Sequence, residues 1–480
     1  MMPVSLPDMM LAAAGAAVAV PAVASGAALV AMPERHLRRL GVAATGASLV
    51  ASVVVMLLWA FSDGTTIARG DRLGGGSIVH VDGLTAILLP YASLIAMAVI
   101  LVRPRLSIDP RSMARKLFGF AATLGIFLTS HPVALVVMWA LTAMLTWASV
   151  RATPGGRGSA RVFAIAMGSS LVAMALGTAM LVADPPWGRA GGFVGESGAW
   201  LVAVAVMIRK GIVPFHSWYP SLFSGAPMST ALAATMPQVA AYTAVRLLVG
   251  HADGVGRELV LLSNLALVTA VYGAALAVVQ RDLRGFIGML AMSQSALTLA
   301  GLAGTMPMEL TGALCVWISS GVALTGIGLV SWALESRAGA IAIDRPQGRF
   351  WDAPALAAFF LLFGLAAIGV PGTLSFVADD LIVSGALDER LGAGLLVIAA
   401  TVLSAVAVMR AWFEVFGGPT APDGPRHAIL PRERVALATL LVVLFGLGLW
   451  PGPLVNALDR AAERLLAPLA PSVEKARSPC

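Results

Sequence analysis

Charged residues are scarce in this 480-residue chain: they make up 12% of it, whereas a soluble domain carries about 25%. Only two cysteines occur, Cys315 and Cys480, which excludes a disulfide framework and a cysteine-based metal site. There is no P-loop, no G-x-S-x-G motif and no dinucleotide fingerprint after a strand, and the six histidines are dispersed. The sequence therefore predicts no cofactor, no metal and no catalytic site in this chain, although enzymatic activity of a larger assembly stays open.

What the chain has in abundance is apolar sequence, at 58% of its residues. About 20 consecutive apolar residues are needed to cross a bilayer as a helix. Roughly fourteen such runs can be read, near 9–32, 40–61, 81–102, 117–130, 132–150, 161–183, 199–215, 227–249, 258–279, 284–304, 310–334, 353–386, 392–416 and 434–452. We expect an all-α, multi-pass membrane protein with about 14 transmembrane helices.

The net charge of +7 would suggest an anionic partner in a soluble protein. Here, however, the basic residues fall in short segments between apolar runs, where they indicate which loops lie on the inner side of the membrane. We therefore expect no nucleic-acid partner. If the N-terminus lies outside, 20 of the 32 basic residues fall in inner loops: Arg35, Arg38, Arg39, Arg103, Arg105, Arg111, Arg115, Lys116, Arg151, Arg157, Arg161, Arg281, Arg284, Arg337, Arg345, Arg349, Arg410, Arg426, Arg432 and Arg434. This bias predicts that both termini lie outside.

Two of the runs contain helix-breaking residues. One break lies near 209–214, in the sequence Arg-Lys-Gly-Ile-Val-Pro, and the other near 369–380, beginning Gly-Val-Pro-Gly-Thr. Proline removes a backbone donor and glycine loosens the helix, so both helices are expected to be discontinuous. Paired broken helices in a transporter point to an inverted repeat and to the transport path.

Ionisable residues lie beside both breaks. A charge within the membrane is energetically costly, so its presence there calls for an explanation. Arg209 and Lys210 precede the first break, and Asp379 and Asp380 follow the second. One interpretation is a proton or ion relay. The alternative is that they lie at helix ends, extend to lipid headgroups or cap free backbone groups.

We favour the relay for Asp379, and for Lys210 the two interpretations are balanced. His216, which follows the first break, is also a candidate for the path. The pair of His216 and Trp218, however, suits an interfacial loop better than a relay.

The same residues carry a family resemblance. The stretch 209–220, with 225–227 and 240–246, resembles the signature of the antiporter-like, proton-conducting subunits of respiratory complex I, Mrp-type antiporters and membrane-bound hydrogenases. The segment 371–379 looks like the second broken helix of complex I subunit M. Further fitting segments are 81–84, 280–284 and 450–453. The resemblance implies two inverted five-helix repeats, each with one discontinuous helix.

In that family a line of buried ionisable residues carries protons, and this chain departs from it. The family's glutamate falls on Ala140, and its first lysine falls on Arg209. Its second lysine falls on Gln238, which makes Gln238 a further path position. Two later positions fall, less securely, on Leu297 and Leu324. Among these positions only Asp379 preserves the chemistry, so the resemblance implies a modified or partly lost proton axis.

The resemblance also implies how the chain is divided and where it works. We expect three N-terminal helices in 1–110, a first repeat in 111–250, a second in 251–418, and a last helix with a short tail in 419–480. The leading hypothesis is an antiporter-like subunit that works beside other membrane subunits, with protons or cations, in the cell inner (plasma) membrane. The alternatives are a membrane subunit of an ion-coupled inorganic-carbon uptake system and a purely structural subunit.

Overall fold

The structure is a computed structural model that describes residues 5–30, 33–62, 64–70, 76–104, 109–183, 193–249, 257–303, 307–419 and 428–467. Two of the inner-loop basic residues, Arg105 and Arg426, lie outside the described residues, as does the tail from 468 to 480.

The described residues form eighteen α-helices and one small hairpin. The helices are α1 (Leu6–Ala27), α2 (Glu34–Phe61), α3 (Gly83–Val102), α4 (Pro110–Phe127), α5 (Pro132–Arg151), α6 (Arg157–Ala183), α7 (Phe193–Lys210), α8 (Trp218–Gly225), α9 (Met228–Thr235), α10 (Val239–Leu247), α11 (Arg257–Val279), α12 (Leu283–Ala300), α13 (Pro307–Ala338), α14 (Pro354–Ala367), α15 (Leu374–Glu389), α16 (Leu391–Phe416), α17 (Pro431–Leu449) and α18 (Gly452–Leu466). A 3-10 turn, Gly301–Ala303, extends α12. The antiparallel strands β1 (Ile67–Arg69) and β2 (Val79–Val81) pair between α2 and α3.

Several helices begin at an aspartate that the sequence places just before an apolar run. Asp82, Asp109 and Asp282 each accept a hydrogen bond from the backbone N–H three residues later, at the starts of α3, α4 and α12. This is the N-cap arrangement, which satisfies one of the backbone donors that a helix start leaves free. The caps explain why these helices begin where they do.

The interior of the bundle is built around α13 and α3. The most apolar 18-residue window of α13 is entirely buried, and most of the corresponding window of α3 is buried, whereas α1, α5 and α6 bury about a third of theirs. The outer helices expose large apolar side chains, among them Ile165, Val402 and Val137. Apolar side chains on both the inside and the outside of a bundle are what a lipid environment requires.

By length and hydropathy, eight of the described helices could each cross a membrane: α1, α2, α3, α5, α6, α11, α13 and α16. The number is nine if α17 and α18, which meet at a bend of 77°, form one span. The remaining apolar runs contain helices that are shorter, more polar or interrupted. The chain is therefore a multi-pass helical membrane protein.

Three sequence predictions about element boundaries were wrong. The run 227–249, expected as one helix, is divided into α9 and α10 at Pro237 and Gln238. Arg115 and Lys116, assigned to an inner loop, lie inside α4, which begins seven residues earlier than expected because Asp109 caps it. The expected tail after the last apolar run begins with a further helix, α18, whose buried face includes Leu458.

Candidate ion path at the helix breaks

The first break lies directly after Lys210. Here α7 ends and Gly211 takes a φ of 69°, a left-handed conformation that glycine adopts without steric cost. The Lys210 side chain is buried, with 3% of its surface exposed, and its Nζ donates a hydrogen bond to Gln238 Oε1 at 2.5 Å. A lysine beside the break therefore contacts the position where the resemblance expected a second lysine.

Gln238 marks a break of its own. Its φ of 52° makes it a left-handed residue that is not glycine, and it separates α9 from α10. The carbonyls around the break are satisfied by side chains from other helices. Tyr91 Oη donates to the Met236 carbonyl at 2.6 Å, and Trp317 Nε1 donates to the Pro237 carbonyl at 3.1 Å. Because buried backbone acceptors need partners in a membrane, these two aromatic residues stabilise the interruption.

Arg209 points away from Lys210, towards α5. Its guanidinium donates to the Trp139 carbonyl at 2.8 Å and to Thr142 Oγ1 at 2.6 Å, and its Cζ lies 4.3 Å from the centre of the Trp139 ring. Ala140, where the resemblance places the family's glutamate, is the next residue of α5 and offers no charge. Among the described residues, no carboxylate lies within ion-pair distance of Arg209 or Lys210.

The second break separates α14 from α15. Gly369 and Gly372 both have left-handed backbones, with φ of 72° and 92°. The Asp379 carboxylate folds back onto Gly369, so closely that a Cβ added to Gly369 would clash with Asp379 Oδ2. Asp380, the neighbouring candidate, is exposed. The structure thus places Asp379, and not Asp380, against the interruption.

The helices between the two breaks carry few ionisable groups. Leu297 on α12 and Leu324 on α13 are both fully buried, and these are the positions where the family's later ionisable residues were expected. From 285 to 300 the sequence of α12 has no charged residue, and α13 has none from 310 to 334. Buried polar groups there are neutral, such as Gln294 and Ser295. Both of these positions therefore lie in the interior of the fold.

The two residues assigned to an interfacial loop behave differently from one another. His216 is half-buried and contacts the ring of Tyr272 edge to face, with the ring centres 5.2 Å apart. Trp218 is buried instead, and its Nε1 donates to the Ile208 carbonyl at 2.7 Å. The loop assignment is wrong for Trp218, because this residue begins α8 and its ring reaches the end of α7.

A buried ion pair holds α10 against α3. Arg246 donates to both carboxylate oxygens of Asp82, at 2.7 and 2.9 Å, and also lies over the ring of Tyr242. Burial would raise the pKa of Asp82, but Arg246 and His80 outweigh it and hold the pKa well below its usual range. The segments 81–84 and 240–246 were both singled out by the family resemblance. The pairing of Asp82 with Arg246 was not predicted, because nothing in the sequence links two residues 164 positions apart.

The fold and its interrupted helices define a class: multi-pass helical membrane proteins in which ionisable side chains lie beside breaks in the helices. The comparisons identify the class more closely. Residues 194–406 match the family described as NADH:quinone oxidoreductase/Mrp antiporter, transmembrane. The predicted resemblance to complex-I-related, antiporter-like subunits is confirmed.

Individual relatives agree. NADH-quinone oxidoreductase subunit M of Rickettsia conorii is 24% identical over 272 residues, which is 56% of this chain and 55% of the relative. The match therefore spans about half the length of this curated relative.

Solved structures share the fold over much more of the chain. A chain of respiratory complex I from Thermus thermophilus superposes with a TM-score of 0.85 and 21% identity, covering 95% of this chain and 99% of that one. A chain of the Mrp complex from Dietzia sp. gives a TM-score of 0.85 and 19% identity, covering 95% and 98%. These comparisons do not favour the inorganic-carbon alternative.

Proposed function

We propose that this chain is an antiporter-like subunit of a larger, complex-I-related membrane assembly, and that its proton path is modified. The observation that carries the proposal is the position of Asp379, whose carboxylate lies against Gly369 at a helix break. A carboxylate held beside interrupted backbone inside a membrane protein is the arrangement expected of an ion-binding or proton-binding step.

The modification follows from the side chains along the proposed path. Arg209 stays protonated under physiological conditions, so it supplies a fixed charge and does not exchange a proton. Gln238 and Ala140 carry no exchangeable charge, and Leu297 and Leu324 interrupt the line with apolar side chains. Lys210 and Asp379 are then the two groups left to take up and release protons, with hydroxyls and water between them. Asp380 and His216 are secondary positions.

We also propose a layout that reconciles fourteen crossings with eight long apolar helices. The further six crossings are α4, α12, α17 and the three interrupted pairs α7–α8, α9–α10 and α14–α15. In this layout 1–110 precede two inverted repeats, at 111–250 and 251–418, and 419–480 hold the last crossing and α18. Partner membrane subunits and a location in the inner (plasma) membrane follow from the respiratory relatives, with protons or cations as the transported ions.

The test is proton uptake by sealed vesicles that contain the assembled complex, with Asp379→Asn compared with the wild-type chain. An amide cannot exchange the proton, and a positioned proton-transfer group contributes about 100-fold or more, so uptake is expected to fall to background. The matched control is Asp388→Asn, which neutralises an exposed carboxylate on the same helix, α15, and is expected to leave uptake unchanged.

The amount of assembled complex is measured alongside uptake. Normal uptake by Asp379→Asn at normal abundance would contradict the relay, and a structural subunit would then be the better description. Loss of uptake that only tracks loss of assembled complex would contradict it as well, because the carboxylate would then be needed for stability alone.

A further inference from the structure

A cationic cavity lies between α3, α4, α5, α7 and α9, next to the first break. It has a volume of about 90 Å³. Its polar lining includes Arg115, Lys116, Thr142, Arg209, Ser229 and Thr230. The rest of the wall is largely apolar, including Phe120 and Phe163. The volume suits a small ion with a few waters, because ligand pockets for larger molecules measure about 300 Å³ or more.

The cavity has an excess of positive charge. Three of its lining residues are cations, and none of its lining residues is Asp or Glu. Among the described residues, no carboxylate lies within ion-pair distance of Arg115, Lys116 or Arg209. The acid that acts on the Lys116 end is Asp109, whose carboxylate caps α4. Cations held inside a membrane protein without counter-charge are costly, so the site favours an anion.

Hydrogen-bond donors also converge on the cavity. The Ser229 side chain is 1% exposed, and its Oγ has no hydrogen-bond partner among the described residues. Nε of Arg115 also has no hydrogen-bond partner among the described residues. Lys116 Nζ donates to Thr230 Oγ1 at 3.0 Å, which leaves the Thr230 hydroxyl proton free to donate. Ser229 and Thr230 lie in the first turn of α9, where the helix dipole also favours negative charge.

We infer that this cavity binds one small inorganic anion of the halide class, held by Lys116, Ser229 and Arg209. The site does not depend on the proposed proton path, since none of these contacts involves Asp379. It offers a different use for Arg209: a permanent cation that relays no proton can hold an anion beside the break.

The experiment measures binding of radiolabelled chloride to the purified full-length chain in mild detergent, with gluconate keeping ionic strength constant. We expect saturable binding of one chloride per chain. Lys116→Met and Ser229→Ala are each expected to weaken it by about tenfold or more, because each removes a hydrogen-bond donor to a charged ligand. The controls Arg111→Gln, on the exposed face of α4, and Ser224→Ala, an exposed serine of α8, should bind as the wild type does.

Gel filtration checks that every variant is folded. Ser229→Ala changes one oxygen, so it keeps the test decisive if Lys116→Met does not fold. Absence of saturable chloride binding by the wild-type chain would overturn the inference. Binding that Ser229→Ala and any folded Lys116→Met leave unchanged would overturn it too, because the ion would then lie elsewhere.

Discussion

Gly369 is a residue at which backbone conformation and side-chain contact can be tested separately. Its φ of 72° lies in the left-handed region, and the Asp379 carboxylate occupies the space where a side chain would begin. Gly372 has a similarly left-handed backbone, with φ of 92°, but an added Cβ there would meet only one atom, of Leu449, at 4.0 Å. The two glycines therefore share a backbone requirement and differ in their contact with the proposed ion site.

We predict that Gly369→Ala lowers proton uptake much more than Gly372→Ala does. Both substitutions place a side chain on left-handed backbone, at a cost of about 1–2 kcal/mol each. Only the first also displaces the Asp379 carboxylate. Thermal unfolding in detergent measures the shared cost, and vesicle uptake measures the difference. Equal uptake by the two variants would show that the position of the carboxylate does not matter.

At the same scale, the sequence predicts which residues surround a break but not what each contacts. Arg209 and Lys210 are adjacent in the sequence, yet successive residues of a helix point about 100° apart. One side chain therefore meets Trp139 on α5 and the other meets Gln238. Such contacts depend on how separate helices pack, which a local sequence pattern does not encode.

At the scale of elements, apolar runs predicted the approximate positions of most helices, and Gly-Pro clusters predicted two of the three breaks. The third break, at Pro237 and Gln238, has one proline and no glycine, and its carbonyls are satisfied by Tyr91 and Trp317 from distant helices. Helix α18 was missed because its composition is mixed. Its spacing of Val455, Leu458 and Ala462, at intervals of three and four, is nonetheless the signal of an amphipathic helix.

The contact between α3 and α10 provides a prediction for stability. Asp82→Asn leaves Arg246 buried without its carboxylate, which is expected to cost about 3–5 kcal/mol in the free energy of unfolding. Asp8→Asn is the matched control, because it breaks the exposed pair of Asp8 and Arg69, and an exposed ion pair contributes little to stability. Denaturant unfolding in detergent compares the two. A loss for Asp82→Asn as small as that of the control would contradict a structural role for the pair.

The pH dependence of this contribution has a definite sign. The pKa of Asp82 is held well below its usual range in the folded protein. As the pH falls, the carboxylate therefore stays charged in the folded protein after it has become protonated in the unfolded chain. Its stabilisation is therefore complete above about pH 4, the ordinary aspartate pKa, and is lost only as the pH falls through the lower folded value. The stability difference between wild type and Asp82→Asn should stay constant across neutral pH and shrink only in strong acid.

For the whole molecule, the helical, multi-pass membrane class was predictable because composition and hydropathy are sums over many residues. The number of crossings is harder to read, since interrupted and polar helices such as α4 and α12 fail a test of length and hydropathy that α13 passes. The buried α13 and α3 also show that an apolar helix need not face lipid. A hydropathy pattern alone does not separate a central helix from a peripheral one.

Topology gives the last prediction, and the chain's own cysteines make it direct. The charge bias places both termini outside, so a membrane-impermeant maleimide should label Cys480 in intact, sealed cells or right-side-out vesicles. Cys315 is fully buried and should not react, which makes Cys480→Ser a blank. In that background, Ala340→Cys introduces an exposed thiol just after α13, on the face predicted to lie inside, and should label only after permeabilisation.

Labelling of Cys480 that requires permeabilisation, or labelling of Ala340→Cys in sealed cells, would contradict the predicted orientation. Two thiols on the same side would contradict an odd number of crossings between these positions, and with it the fourteen-helix layout.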